Sequence, residues 1–309
     1  MIFRFDSSII NSSIARELAS CIKLIYEKKH KIDYDNPAIW DFIENSVLIV
    51  DYLGTIDIAL IRENHEMRDV RNTDRQYFQT INVGTKSDMI DLGTLGTILN
   101  NNSCVVLENS HYDWYPIKRW VELVKNQKDY KDINRKVSEA ICSKSIFPDH
   151  AGGSGGIDNK ISDLKRDVYG AAVCYKVSSI FDSDKLSATD SDKHRSLKDN
   201  LNKKGIIYHE WKKREIENYI PLRVYNYSGM VNGNEEEPDT TPSLWDYTDI
   251  EEHPYFKGKY TKNKLPLLVE YIDKSSVKES FSDMSFINSV DNHQVSELQH
   301  IIFLLAKYI

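Results

Sequence analysis

Two apolar runs in this sequence stop at carboxylates, and that pattern narrows the available folds more than any other feature. Cys104-Val105-Val106-Leu107 ends in Glu108, and the segment after Trp114 carries Ile117, Trp120, Val121 and Val124 at helical spacing. A second run, Ala171-Ala172-Val173-Cys174-Tyr175 continuing to Ile180-Phe181, ends in Asp182-Ser183-Asp184. A buried strand that delivers a carboxylate at its C-terminal end and leads into a helix opens a parallel α/β unit. Ligand sites in such units lie outside the carboxyl ends of the strands. Asp182 and Asp184 share a face if the strand continues, or are brought together by the turn that ends it. A carboxylate pair so placed outlines a magnesium site, because Mg²⁺ takes hard oxygen ligands and needs only one or two protein carboxylates beside water and phosphate. Taken alone, the pair reads rather as a polar strand-to-loop junction with solvated aspartates.

Between these runs lies Ile146-Phe147-Pro148-Asp149-His150-Ala151-Gly152-Gly153-Ser154-Gly155-Gly156-Ile157. Glycine at this density removes side chains where backbone must come close to another group. Downstream, Ile206-Ile207-Tyr208-His209-Glu210-Trp211 is followed by Lys212-Lys213-Arg214-Glu215-Ile216-Glu217-Asn218-Tyr219-Ile220. The order Glu at one strand end, Gly-Gly after the next strand, and Asp-x-Asp after a third resembles a toprim domain, the metal-dependent fold of topoisomerases, primases and overcoming-lysogenization-defect nucleases. The run from Arg214 to Ile220 is similar to the toprim domains of those nucleases and of the stand-alone toprim effectors paired with ATPases in PARIS-type phage-defence operons. The resemblance covers roughly residues 103–221. It implies an α/β fold, a Rossmann-like parallel sheet flanked by helices. It departs from the pattern at Asn109, where Gly is usual, and at Tyr112, where an Asp is usual. Asp113 is the nearest acid, so either a local shift in the turn brings it to the site or that second-metal ligand is missing.

A chain of 309 residues with 40% hydrophobic content is long enough for one large or two modest domains. The expected division is a mostly helical region over 1–100, a toprim-like core over 101–221, and a C-terminal loop with helices over 222–309 that pack on the core. Within the first region, Ser12-Ser13 and Asn36-Pro37 are expected to open helices, 47–61 reads as strand or helix with a break at Gly54, 63–86 as a loop, and 89–99 as a helix. The core is expected to place strands near 103–108, 145–149, 171–181 and 205–209, with helices over 114–126, 130–143, 158–166 and 191–203. The acidic, Gly- and Pro-containing stretch 232–242 reads as a surface loop. Helices are expected over 264–272 and 295–309.

No stretch approaches the ~20 apolar residues that cross a bilayer, and the first residues lack a leader pattern, so a cytoplasmic protein with no membrane partner is expected. The four cysteines show neither metal-ligand nor disulfide spacing. The formal net charge of −7 argues against binding nucleic acid by bulk electrostatics. Local clusters remain: Lys118-Arg119, Lys193-His194-Arg195 with Lys198, Lys203-Lys204, and Lys212-Lys213-Arg214.

The chemistry follows if Glu108, Asp182 and Asp184 converge. They would hold Mg²⁺ or Mn²⁺, with Asp113 supporting a second ion, and Gly152 and Gly153 would let backbone approach the same place. Of the two acids in the later motif, the resemblance favours Glu217, and it matches Arg214 as the cation facing the phosphate. Lys212, Lys213 and Lys193 are further candidates for binding phosphate, and His150 and His209 for proton transfer. The leading expectation is an endonuclease acting on DNA or RNA, tRNA included. By resemblance it serves antiviral defence by abortive infection under the control of a partner ATPase, since the chain has no phosphate-binding loop of its own. A retron reverse transcriptase with its RNA is the alternative partner. The competing expectation is a catalytically inactive toprim acting as a structural or regulatory subunit. A primase or topoisomerase is disfavoured, because a zinc-binding module is lacking and the chain is short for strand passage.

Overall fold

The computed structural model describes residues 1–28, 30–33, 36–54, 58, 59, 61, 63, 77–288 and 292–309. The first strand, β1 (Ile2–Phe5), pairs in parallel with β2 (Lys31–Asp33) on one side and β3 (Thr80–Val83) on the other. Parallel strands need crossover connections, which helices supply. Helix Ala15–Glu27 buries Leu18, Ala19, Ile22 and Ile25 on one face. Helix Pro37–Asn45 is opened by Asn36, whose side chain accepts from the Ala38 N–H, with Pro37 in the first turn. Helix Val47–Leu53 ends at Gly54, where φ is +81°, and helix Leu92–Asn100 is capped by Asp91. These elements bury a core of their own around Phe3, Phe5, Ile22 and Leu95.

Helices outweigh strands among the described residues of 1–100, but the mostly helical reading omits a three-stranded parallel sheet around which they pack. Strands of three or four residues are too short to show alternation, and β3 sits in the polar stretch read as a loop. Residues 64–76 of that expected loop lie outside the described residues. Ser12 and Ser13 form a short 3₁₀ turn capped by Asn11, and the helix proper starts only at Ala15.

The central sheet is parallel throughout, in the order β5 (Ile146–His150), β4 (Ser103–Leu107), β6 (Val177–Phe181), β7 (Ile207–Glu210). Side chains alternate between its faces. Val105, Leu107 and Ile180 enter a core with helices Ser110–Val124, Lys131–Cys142 and Glu297–Ala306, whereas Cys104, Val106, Val177 and Phe181 meet Ile157, Ile161 and Leu201 on the other face. Helices on both faces explain why β4 and β6 are fully buried.

The apolar run 171–176, expected to be strand, is helical: Gly170–Ala172 and Val173–Lys176 are short turns, and β6 starts at Val177. Ala172 packs into the N-terminal core and Val173 into the core beneath the central sheet. The run is apolar because it serves two cores, a pattern that periodicity alone reads as a buried strand. The segment after Pro221 continues through helix Leu222–Ser228, closed by left-handed Gly229, to helical turns over 262–271 and helix Lys274–Ser280. The antiparallel pair β8 (Phe286–Ile287) and β9 (Gln294–Val295) precedes the last helix, Glu297–Ala306, which is almost wholly buried. Among the described residues no helix is long and apolar enough to cross a membrane.

Candidate functional site

Because β4 and β6 are parallel neighbours, the residues that follow them, Glu108 and Asp182, emerge at the same sheet edge. Their contact is direct: the Asp182 N–H donates to Glu108 Oε1 at 3.0 Å. Asp182 Oδ1 in turn accepts the Ile216 N–H at 3.0 Å, tying the strand end to the short turn Ile216–Tyr219. That turn carries Glu217 with no exposed surface. Asp113 lies in the first turn of helix Ser110–Val124, where its Oδ2 accepts the Asn109 N–H at 2.9 Å and holds the acid inward.

A residue that the sequence does not single out stands among these acids. Lys262 Nζ lies 3.2 Å from Asp182, 3.3 Å from Asp113 and 3.7 Å from Glu217. Its charge does not offset the acids fully. Burial, reinforced by the Asp182 charge, pushes Glu108 up to about 7. Burial pushes Asp113 up to about 6 despite the neighbouring Lys262. Burial, with Asp182, Glu215 and Asp113 adding to it, pushes Glu217 up to about 8. Lys262 itself is held well above the ordinary lysine range: the surrounding carboxylates outweigh burial, which acts the other way. Both carboxylate oxygens of Glu217 lack a hydrogen-bond partner among the described residues. A buried carboxylate with neither oxygen hydrogen-bonded is costly and calls for a cation.

Asp184, at φ +53°, turns instead to His194, whose Nε2 lies 3.4 Å away, and this contact lowers the Asp184 pKa. Lys193 Nζ donates to the Asp184 carbonyl. Arg214 is committed to carboxylates, with Nε on Glu215 at 3.1 Å and the far nitrogen on Asp249 at 2.7 Å. Its carbonyl accepts the Ser183 and Asp184 N–H groups, so it braces the loop rather than facing open space. Lys213 pairs with Asp246 at 2.8 Å over the Tyr219 ring, and Lys212 pairs with Asp283 at 2.6 Å. Gly152 and Gly153, at φ +76° and +105°, aim their N–H groups at the Glu108 carbonyl, 3.2 and 3.1 Å away. Left-handed backbone there fixes Glu108 from behind. Glu215 caps the turn that bears Glu217. His150 is exposed beside His111, and His209 is buried with Nε2 2.8 Å from Glu297.

Glu297 is a second residue that the sequence leaves unmarked. It joins His209, the Lys212 N–H and the Tyr219 hydroxyl, linking the last helix to the turn of Glu217. Asn218 adds to that anchoring by donating to the carbonyls of Trp245 and Thr248.

Glu108, Asp113, Asp182 and Glu217 thus gather at the carboxyl edge of the central sheet, while Asp184, Arg214 and the lysines are engaged around its rim. Among the described residues no three His, Cys, Asp or Glu side chains form a ready-made metal cage, and Lys262 stands between the acids. The donors nonetheless suit a hard divalent cation, since all are carboxylate oxygens and neither oxygen of Glu217 is hydrogen-bonded among the described residues. Fold and site together define a mixed α/β protein with a part-buried acidic cluster at the edge of a parallel sheet. Comparison with models of protein families, with curated proteins and with solved structures yields no match.

Proposed function

We propose that this protein is a toprim-type nuclease that hydrolyses phosphodiester bonds of DNA or RNA with Mg²⁺ or Mn²⁺. The observation that carries the reading is the gathering of Glu108, Asp113, Asp182 and Glu217 at one sheet edge, with neither Glu217 oxygen hydrogen-bonded among the described residues. These four residues would hold the metal, which when bound polarises the phosphodiester and supplies hydroxide. The chain's own residues do the rest. The Gly152 and Gly153 N–H groups and the Asp182 N–H fix Glu108. The Ile216 N–H fixes Asp182. Lys262 partly balances the acids and would meet negative charge arriving on a phosphate. Lys193 and the Asp184–His194 pair form the neighbouring rim over which a backbone would pass.

A role in antiviral defence under a partner ATPase, or beside a reverse transcriptase and its RNA, rests on the resemblance of 103–221 alone. One observation favours the second reading, an inactive toprim that acts as a structural or regulatory subunit: Lys262 already neutralises part of the cluster. The test is cleavage of plasmid, single-stranded DNA and total tRNA with and without Mg²⁺ or Mn²⁺, comparing the native chain with Asp182→Ala. Products that need metal and vanish in the variant are expected. Cleavage that persists in Asp182→Ala would overturn the site assignment. Absence of both cleavage and Mn²⁺ binding by calorimetry would favour the inactive reading.

A further inference from the structure

The opposite edge of the central sheet carries a second polar feature that the carboxylate site does not use. Asn102, Ser145 and Lys176 immediately precede β4, β5 and β6, so the amino ends of three strands open onto one place. A cavity of about 530 Å³ lies there, between the central sheet and the N-terminal one. Lys28, Lys31, Lys136 and Lys176 all line it, against the two acids Glu27 and Glu139.

Lys176 is the informative member. It is 4% exposed and makes no hydrogen bond or ion pair among the described residues. Burial, aided by the Lys28 charge, lowers its pKa to about 8, so at neutral pH the ammonium remains mostly charged. A buried charge without a partner is not a stable endpoint unless something neutralises it. Burial and the surrounding cations, Lys176 among them, also hold His30 in its neutral form, so this edge is electropositive although the whole chain is acidic.

The chemistry of the lining narrows the ligand. Lysine ammoniums are compact point charges that suit phosphate oxygens. Asn102 and Ser145 add neutral polar residues to the lining, and Phe78, Leu99 and Tyr308 supply apolar wall. A cavity of this volume is in the range that holds small organic ligands and is far larger than one phosphate ion. We propose that this cavity binds a phosphorylated small molecule of mononucleotide size, with Lys176 as the central contact to phosphate. The carboxylate cluster lies across the strands, roughly 17 Å away for five residues of strand, so a molecule bound here sits apart from those acids. The proposal stands independently of the nuclease reading.

The experiment is calorimetric titration and thermal melting of the full chain in EDTA with AMP, ADP, ATP and inorganic phosphate, repeated for Lys176→Met, Asp182→Ala and Lys257→Met. Saturable binding of a nucleotide with a raised Tm is expected. It should weaken at least ~tenfold in Lys176→Met and be unchanged in Asp182→Ala and Lys257→Met. Lys176→Met should melt no lower than the native chain, because it removes an uncompensated charge and keeps most of the unbranched side chain. Three results would each overturn the proposal: no binding at millimolar nucleotide, inorganic phosphate binding as tightly as any nucleotide, or binding lost in Asp182→Ala and kept in Lys176→Met.

Discussion

Replacing Glu217 by Gln should make the protein more stable at pH 8 and no more stable at pH 5. Burial raises the Glu217 pKa from 4.5 to about 8. Between those values the native state therefore binds more protons than the unfolded chain, and stability falls as pH rises through that window. At ~1.4 kcal/mol per pH unit, the full cost of ionising Glu217 in place is about 5 kcal/mol. Gln removes the charge but leaves a buried amide with unmet hydrogen bonds, worth about 1–3 kcal/mol. It also deprives Lys262 of one of the acids around it. The net gain at pH 8 is then about 2 kcal/mol, or roughly 4 °C in Tm for a chain of this size. Melting both proteins by circular dichroism in EDTA across pH 5–8 measures it directly. Mn²⁺ at pH 8 should then raise the Tm of the native chain and not that of Glu217→Gln. A variant that melts lower than native at pH 8, or by the same margin at both pH values, would refute the reasoning, because the ionised carboxylate would then be a stabilising partner rather than a cost.

Lys262→Met should lower stability by about 3 kcal/mol at pH 8, since it leaves buried carboxylates facing one another; urea unfolding measures the loss. Gly153→Ala, at φ +105°, should cost about 1–3 kcal/mol by thermal melting. Gly155→Ala, where an added methyl meets open space, should cost far less and serves as its control. Glu297→Ala removes the acceptor shared by His209, Tyr219 and the Lys212 N–H and should destabilise by about 3 kcal/mol in urea.

Strands 103–107, 146–150 and 207–210 and the helices after Trp114 and Tyr130 were legible because long periodic segments and apolar runs survive without tertiary context. The N-terminal sheet was not, because strands such as Lys31-Ile32-Asp33 are too short to carry a pattern. Glu108, Asp182, Asp113 and Glu217 could be picked out from the ends of apolar runs and from motif order. Lys262 could not: it sits in Lys257-Gly258-Lys259-Tyr260-Thr261-Lys262-Asn263-Lys264, where nothing local separates the lysine that turns inward from those that remain in water. Arg214, Lys212 and Lys213 were legible as a basic cluster, but their partners, Asp249, Asp283 and Asp246, lie in the segment whose packing no local signal predicts.

The position of Lys262 in the chain also bears on how the protein is made. Its contact with Asp182 spans 80 residues, and the brace between His209 and Glu297 spans 88. Contacts of such separation are slow to form, because the loop must close before they repay its entropy. On a ribosome all four acids emerge before their lysine does, and the helix that supports Glu217 follows later still. An incomplete chain therefore brings the acids together without the ammonium that offsets their repulsion. Assembly of the site is thereby deferred until the C-terminal segments have been synthesised.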